Sequence, residues 1–333
     1  MRNADKEGVV VERDVIKAML PDAFMGLGEG TRNKQSGKVR DWYVLDDSSR
    51  LMVTTDRISA FDRVLSAVPW KGQVLNELSA WWNEKTRDIA PNHLISVPDP
   101  NVSIVREARP LSVEVIIRGY ITGVTSTALW RRYSEGERSI YGYRFPEGLR
   151  KNQKLPLPII TPTTKAEAGQ HDERLTCEEV VGKGYVGAKV WDRIADMALA
   201  LFARGTEIAE KAGLILVDTK YEFGIGPDGT ILLIDEIHTP DSSRFWKLGS
   251  YAGRFDHGEE PELFDKEFVR MRYAELGYRG DGVIPVLPDT VWADTGILYQ
   301  TAYELLTGRI FVPGAYPVGP RLLENLEKIG VTL

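Results

Sequence analysis

LVDTKYEFG, residues 216–224, decides how the chain is read, because ionisable side chains stand in it at every second position. Successive side chains of a strand point to opposite faces, so Asp218, Lys220 and Glu222 line one face while Val217, Tyr221 and Phe223 go to the other. GIGPDG (224–229) follows, then a second apolar run, TILLIDEIH (230–238). The glycines match a dinucleotide fingerprint literally, but a β-branched strand follows instead of a helix, and Pro-Asp-Gly is a turn signal. The two runs therefore read as a hairpin.

If the turn contains an even number of residues, Lys220 falls opposite Asp235 and Glu222 lies diagonal to it on the same face. Carboxylate oxygens are what magnesium prefers, and a lysine beside them offers a point charge to an anionic ligand. The plainer alternative is a cross-strand surface pair worth about 0.2–1 kcal/mol. EIHTPDSSRFW (236–246) bears on the choice: a turn with Asp241, Ser243 and Arg244 leaves the strand that carries Asp235, and hydroxyls with a guanidinium are the ingredients of an anion clamp.

Further out, KVRDWYVLD (38–46) and RLMVTTDR (50–57) read as a hairpin closed by DSS. A helix is expected over 71–86 and strand-like composition over 103–121, where VEVIIRGYITG (113–123) sets Arg118 in an apolar run. A buried arginine needs an anion, either a ligand or an acid of the chain such as Glu114. GEGTRNKQSGKVR (28–40) fails as a Walker loop: six residues separate Gly30 from Gly37, and Val39 stands where a hydroxyl is required. It reads either as a glycine-flexed turn that lays Lys38 and Arg40 over nucleotide phosphates or as a solvated basic strand start.

The proline-rich stretch 141–175 reads as a long loop, a feature more often functional than idle, and it carries Lys165, His171 and Asp172. His171 is read as a hydrogen-bonded loop residue or a base. A capping box opens at Thr176 with Glu179, a long buried helix runs over 188–213, and helices are expected over 264–276 and 289–307, with a final helical turn or two at the end. Runs of strands and runs of helices, without strict alternation, favour an α+β fold.

The 333 residues suit one large domain or two, and a net charge of −6 argues against a general phosphate-backbone binder, so no nucleic-acid partner is expected. The single cysteine, Cys177, excludes an internal disulfide and fits a reducing compartment. The first residues lack a signal-peptide pattern and no run approaches about 18 apolar residues, so a cytoplasmic protein without a membrane partner is expected.

Taken together, GKVRDWY, TDRISAFD, VEVIIRGYITG, TPTTKAEAGQHDE, LVDTKYEFG and DEIHTPDSSRFW resemble, in order and spacing, the phosphoribosylaminoimidazole-succinocarboxamide synthases, or SAICAR synthetase family. The resemblance is close over residues 35–250 and loose beyond. It implies a SAICAR synthase-like α+β fold: an antiparallel-sheet, kinase N-lobe-like lobe over 1–110 and a larger α+β, ATP-grasp-like lobe over 111–333, with a central cleft. It also implies an ATP-dependent ligase of purine biosynthesis that joins carboxyaminoimidazole ribonucleotide (CAIR) to L-aspartate, releasing ADP and phosphate by way of an acyl phosphate. A carboxylate is a poor acyl donor, and phosphorylating it gathers negative charge where cations must wait.

By the same resemblance, ATP and Mg2+ are the expected cofactors, with Lys38 and Arg40 at the ATP phosphates and the backbone near Glu107 and Ala108 at the adenine. Glu222 and Asp235 would hold magnesium, and Lys220 would neutralise the carboxylate or the transferring phosphoryl group. Arg118, Ser243 and Arg244 would grip the ribonucleotide 5′-phosphate with Asp241 orienting the clamp, while Ser59, Asp62, Lys165 and His171 would line the ribonucleotide or aspartate pocket. Oligomeric state stays open. One departure stands out: Val124 follows GYITG where the family usually has a serine, with Thr125 and Ser126 after it. Two other readings are a kinase-like phosphotransferase, which lacks its His-Arg-Asp and Asp-Phe-Gly motifs here, and a non-catalytic nucleotide-binding homologue, against which the charged positions are all present.

Overall fold

The computed structural model describes residues 11–28, 34–165 and 172–333, so His171 lies outside the described residues. After α1 (Arg13–Ala18), alternating apolar residues and tight turns produce short antiparallel strands: β1 (Lys34–Ser36), β2 (Arg40–Asp46), β3 (Ser49–Thr54), β4 (Arg57–Ala60) and β5 (Arg63–Ala67). Helix α2 (Lys71–Lys85) follows, burying Val74, Leu75, Leu78 and Trp82, and then β6 (Leu94–Asp99) and β7 (Val102–Arg106). Among the described residues the first sheet is antiparallel, in the order β1-β2-β3-β7-β6.

The strand-like stretch 103–121 divides in two. β7 ends at Arg106 and β8 (Arg109–Ile121) begins a second sheet, so the chain crosses between sheets at Glu107 and Ala108. α3 (Leu129–Ser134), β9 (Ser139–Ile140), β10 (Tyr143–Arg144), β11 (Gln153–Ile160) and β12 (Thr163–Thr164) come next. The expectation of a long loop over 141–175 is thereby corrected where β10, β11 and β12 form. β11 pairs with β8 despite Pro156 and Pro158, because it is an edge strand whose register breaks between Lys154 and Ile159, where a missing N–H costs little.

α4 (Cys177–Gly182) carries the expected capping box, with Thr176 and Glu179 exchanging hydrogen bonds. α5 (Ala188–Lys211) packs Ile194, Leu201 and Phe202 under the second sheet. It approaches closely at Gly205, where a Cβ would stand 2.4 Å from the His238 ring. β13 (Leu214–Ile225) is the sheet's central strand, flanked by β8, β14 (Ile231–Ile234) and β15 (Ser243–Lys247). α6 (Leu248–His257), α7 (Glu267–Glu275), α8 (Asp289–Thr307) and α9 (Val318–Glu327) complete the chain, α9 being longer than the expected turn or two. α9 returns to the first sheet, where Val318, Leu322 and Leu326 pack with Tyr43, Leu51 and Val53. No helix among the described residues is long and apolar enough to cross a membrane.

Candidate active site

The two sheets face each other across a cleft of about 690 Å³ into which β13 turns its charged face. Tyr221 and Phe223 join the main core on the opposite face, as alternation demands. Val217 does not follow them, contrary to expectation: it clusters with Tyr120, Ile215 and Trp246. The cause is a bulge between Leu216 and Asp218, which shifts the alternation by one residue, so that Val217 faces with Ile215 while Asp218 stays in step with Lys220 and Glu222.

The hairpin register also differs from expectation. Five residues separate β13 from β14, Glu222 pairs with Ile234, and continued pairing would place Glu236, not Asp235, opposite Lys220. Asp235 reaches the cleft because its backbone turns to φ +61°, a left-handed conformation uncommon for a non-glycine residue. The result is the expected convergence by another route. Lys220 Nζ hydrogen-bonds Glu222, lies 2.9 Å from Glu114 Oε1 and 3.9 Å from Asp235 Oδ2, while Lys165 Nζ meets the other oxygen of Glu222 at 2.5 Å.

Burial opposes the charge on Lys220, but Glu222, Glu114 and Asp235 together raise its pKa well above the ordinary lysine value. Burial likewise pushes Glu222 up, and the two lysines outweigh it, holding the carboxyl well below its usual range. Asp235 goes the other way: burial and the nearby Glu222 charge lift it to about 6 against the pull of Arg40 and Lys220. Arg40 lines the cleft, with its guanidinium committed to Asp235 (2.6 Å) and Glu236 (2.8 Å), so it braces the corner. Lys38 stands at the mouth, 2.5 Å from Asp62 and half-exposed, near Ser59. Ala108 lines the cleft beside Ile234, and Glu107 turns back to Arg50.

Arg118 finds its acid in Asp218 and not in Glu114. Cross-strand pairing sets Asp218 between Arg118 on β8 and Arg244 on β15, and both guanidiniums meet its Oδ2, at 3.2 and 2.5 Å. Asp218 thus serves two buried arginines, Arg244 also faces Glu267 Oε2 at 3.5 Å, and Arg244 Nε is buried without a hydrogen-bond partner. Ser243 donates to Thr219 at 2.7 Å beside them. Val124 is not among the cleft-lining residues, but Thr125, Ser126 and Thr127 are, and Arg118 Nη2 donates to the Thr127 carbonyl. Asp241 is buried beneath this end, bonded by Lys71 and Tyr299.

The sequence reading missed Glu236, His93, Lys266 and Arg270, all of which line the cleft, and named Glu114, which also lines it, only as an acid for Arg118. Glu114 was within reach of the alternation argument, standing four residues before Arg118 on the same face. Lys266 and Arg270 come from α7 and its entry, distant in sequence and without a local pattern.

A family model described as SAICAR synthetase matches residues 33–285. The phosphoribosylaminoimidazole-succinocarboxamide synthase of Legionella pneumophila (strain Paris) is 50% identical over 301 residues, covering 89% of this chain and 95% of that protein. The SAICAR-synthase from Saccharomyces cerevisiae complexed with SAICAR is similar with a TM-score of 0.73 and 32% identity, over 86% of this chain and 99% of that one. A SAICAR synthetase in complex with ADP, 24% identical, shares the fold at a TM-score of 0.65 over 84% and 99%. This chain, with its charged central strand and its two arginines meeting on Asp218, belongs to the SAICAR synthetase family.

Proposed function

We propose that the cleft condenses CAIR with L-aspartate at the expense of ATP, as an amide-forming ligase of purine biosynthesis. The observation that carries this reading is the division of the cleft: a lysine among three carboxylates at one end, and two buried arginines meeting on Asp218 at the other. Two guanidiniums at a cleft end also lined by Lys266 and Arg270 suit a phosphate monoester, so Arg118 and Arg244, with Ser243, hold the ribonucleotide 5′-phosphate. Thr125 or Ser126 supplies the hydroxyl that Val124 cannot. Adenine lies against Ala108 and Ile234 at the crossing between sheets, with Lys38 over the phosphates. The same reading divides the chain at residue 110 into two lobes and places it in the cytoplasm, with which the unpaired Cys177 agrees.

Glu222 and Asp235 fit magnesium. Both are hard oxygen donors, and their charges raise each other's cost, which a divalent cation relieves. Among the described residues no group of three or more His, Cys, Asp or Glu side chains is arranged for a metal ion, and two carboxylates with phosphate oxygens and water is a usual magnesium arrangement. When bound, the ion neutralises charge on the ATP phosphates. Lys220 orients the CAIR carboxylate and offsets its charge as a carboxylate oxygen bonds the γ-phosphorus and the bond to ADP breaks. The aspartate nitrogen then bonds the acyl carbon, the carbon–oxygen bond to phosphate breaks, and the amine gives up a proton. Lys165, Ser59 and Asp62 line the wall that the amino acid enters past, and His171 belongs to the same proposal.

The test is an ADP-release assay with CAIR and aspartate omitted one at a time. Sustained ADP release requires both under this reading; turnover with a single acceptor would make the protein a phosphotransferase instead.

A further inference from the structure

Residues 286–333 lie beyond the family match, yet they touch the site. Tyr299, from the middle of α8, is fully buried and donates its hydroxyl to Asp241 Oδ1 at 2.5 Å. The other oxygen, Oδ2, faces Lys71 at 3.0 Å and Lys266 at 3.7 Å, and Lys71 also lies over the Tyr299 ring. Asp241 sits in the turn that delivers Ser243 and Arg244 to the clamp, and the Ser242 carbonyl in that turn accepts the backbone N–H of Lys220. α8 is held in turn by α1 and α2, and the segment after it is tied to α2 by Gln73, whose side chain bonds both Val312 and Gly314.

We propose that Tyr299 is a positioning residue for the ribonucleotide site, acting through Asp241. Its hydroxyl occupies one carboxylate oxygen, so that both lysines share the other and the turn carries Arg244 at the height where Asp218 also meets it. The inference rests on the reading of Arg118 and Arg244 as the phosphate clamp. A carboxylate left with one oxygen bare in the interior rotates toward the lysines and takes the turn with it. The segment outside the family match is then part of the active-site framework.

Tyr299→Phe keeps the ring and removes the hydrogen bond. The expected result is a KM for CAIR raised about tenfold, with kcat and the KM for ATP within about twofold of native. Thr295→Ala, in the same helix, is the control for helix damage: Thr295 is buried, its hydroxyl donates to the Val291 carbonyl, and it is not among the cleft-lining residues. Asp241→Asn combined with Tyr299→Phe should be no worse than Asp241→Asn alone. An unchanged KM for CAIR in Tyr299→Phe, or a rise no greater than in Thr295→Ala at equal loss of melting temperature, overturns the proposal. Arg244→Gln separates the two claims: if it leaves the KM for CAIR unchanged, the clamp reading fails, and if it raises that KM while Tyr299→Phe does not, only the role of Tyr299 fails.

Discussion

Replacing Lys220 by methionine removes a cation that faces Glu222, Glu114 and Asp235 while keeping the volume of its stem. At an effective dielectric constant of about 20, each contact near 3–4 Å has a gross attraction of roughly 4–6 kcal/mol, most of which offsets the desolvation of both partners. Taking one partner from a fully buried pair costs about 3–5 kcal/mol, and the Lys220 side chain keeps 28% of its exposure, so a loss near 2 kcal/mol at pH 7 is expected. The loss should shrink at pH 5. Without the lysine, the folded-state pKa values of Glu222 and Glu114 rise, and protons bound as pH falls relieve the repulsion. The chemical step should slow by about 10²- to 10³-fold, the range for removing a donor aimed at developing charge. Urea unfolding at pH 7 and 5, with initial rates of ADP release, checks both. A variant with an unchanged urea midpoint and a kcat within about threefold of native would refute the reasoning.

Asp218→Asn leaves Arg118 and Arg244 without their shared carboxylate, which should cost about 3 kcal/mol, and saturating CAIR should restore more melting temperature in the variant than it adds to the native protein. Burial depresses His93 and His238 to about 3, so the unfolded chain takes up their protons first as pH falls below about 6.5. Each therefore removes up to about 1.4 kcal/mol of stability per pH unit between there and pH 3, and His238→Gln should flatten the slope measured by urea unfolding. Asp235, raised to about 6, protonates below that pH, so the magnesium concentration for half-maximal rate should climb about tenfold per unit below pH 6 and lose that dependence in Asp235→Asn.

The elements with strong periodicity were readable from the sequence. The helix expected over 289–307 has those bounds, the one over 71–86 ends one residue earlier, and the 264–276 helix is shorter at both ends. The charged face of β13 was legible because alternation is local, and its departures were not, because they arise from tertiary pairing. The bulge that moves Val217 forms against β15, and the φ of +61° that turns Asp235 into the cleft is held by Arg40 from the other sheet. The acid for Arg118 stood in the opening stretch, at Asp218, but a strand's neighbours cannot be read from its own residues. The same limit hid Tyr299, which meets Asp241 across 58 positions of chain.

Isotope tracing tests most directly whether the cleft activates a carboxylate. CAIR labelled with ¹⁸O in its carboxylate, turned over with ATP and aspartate, should pass one labelled oxygen to inorganic phosphate for each amide formed. Phosphate released without label, while the amide accumulates, would contradict the assignment of Lys220, Glu222 and Asp235 to phosphoryl transfer onto that carboxylate.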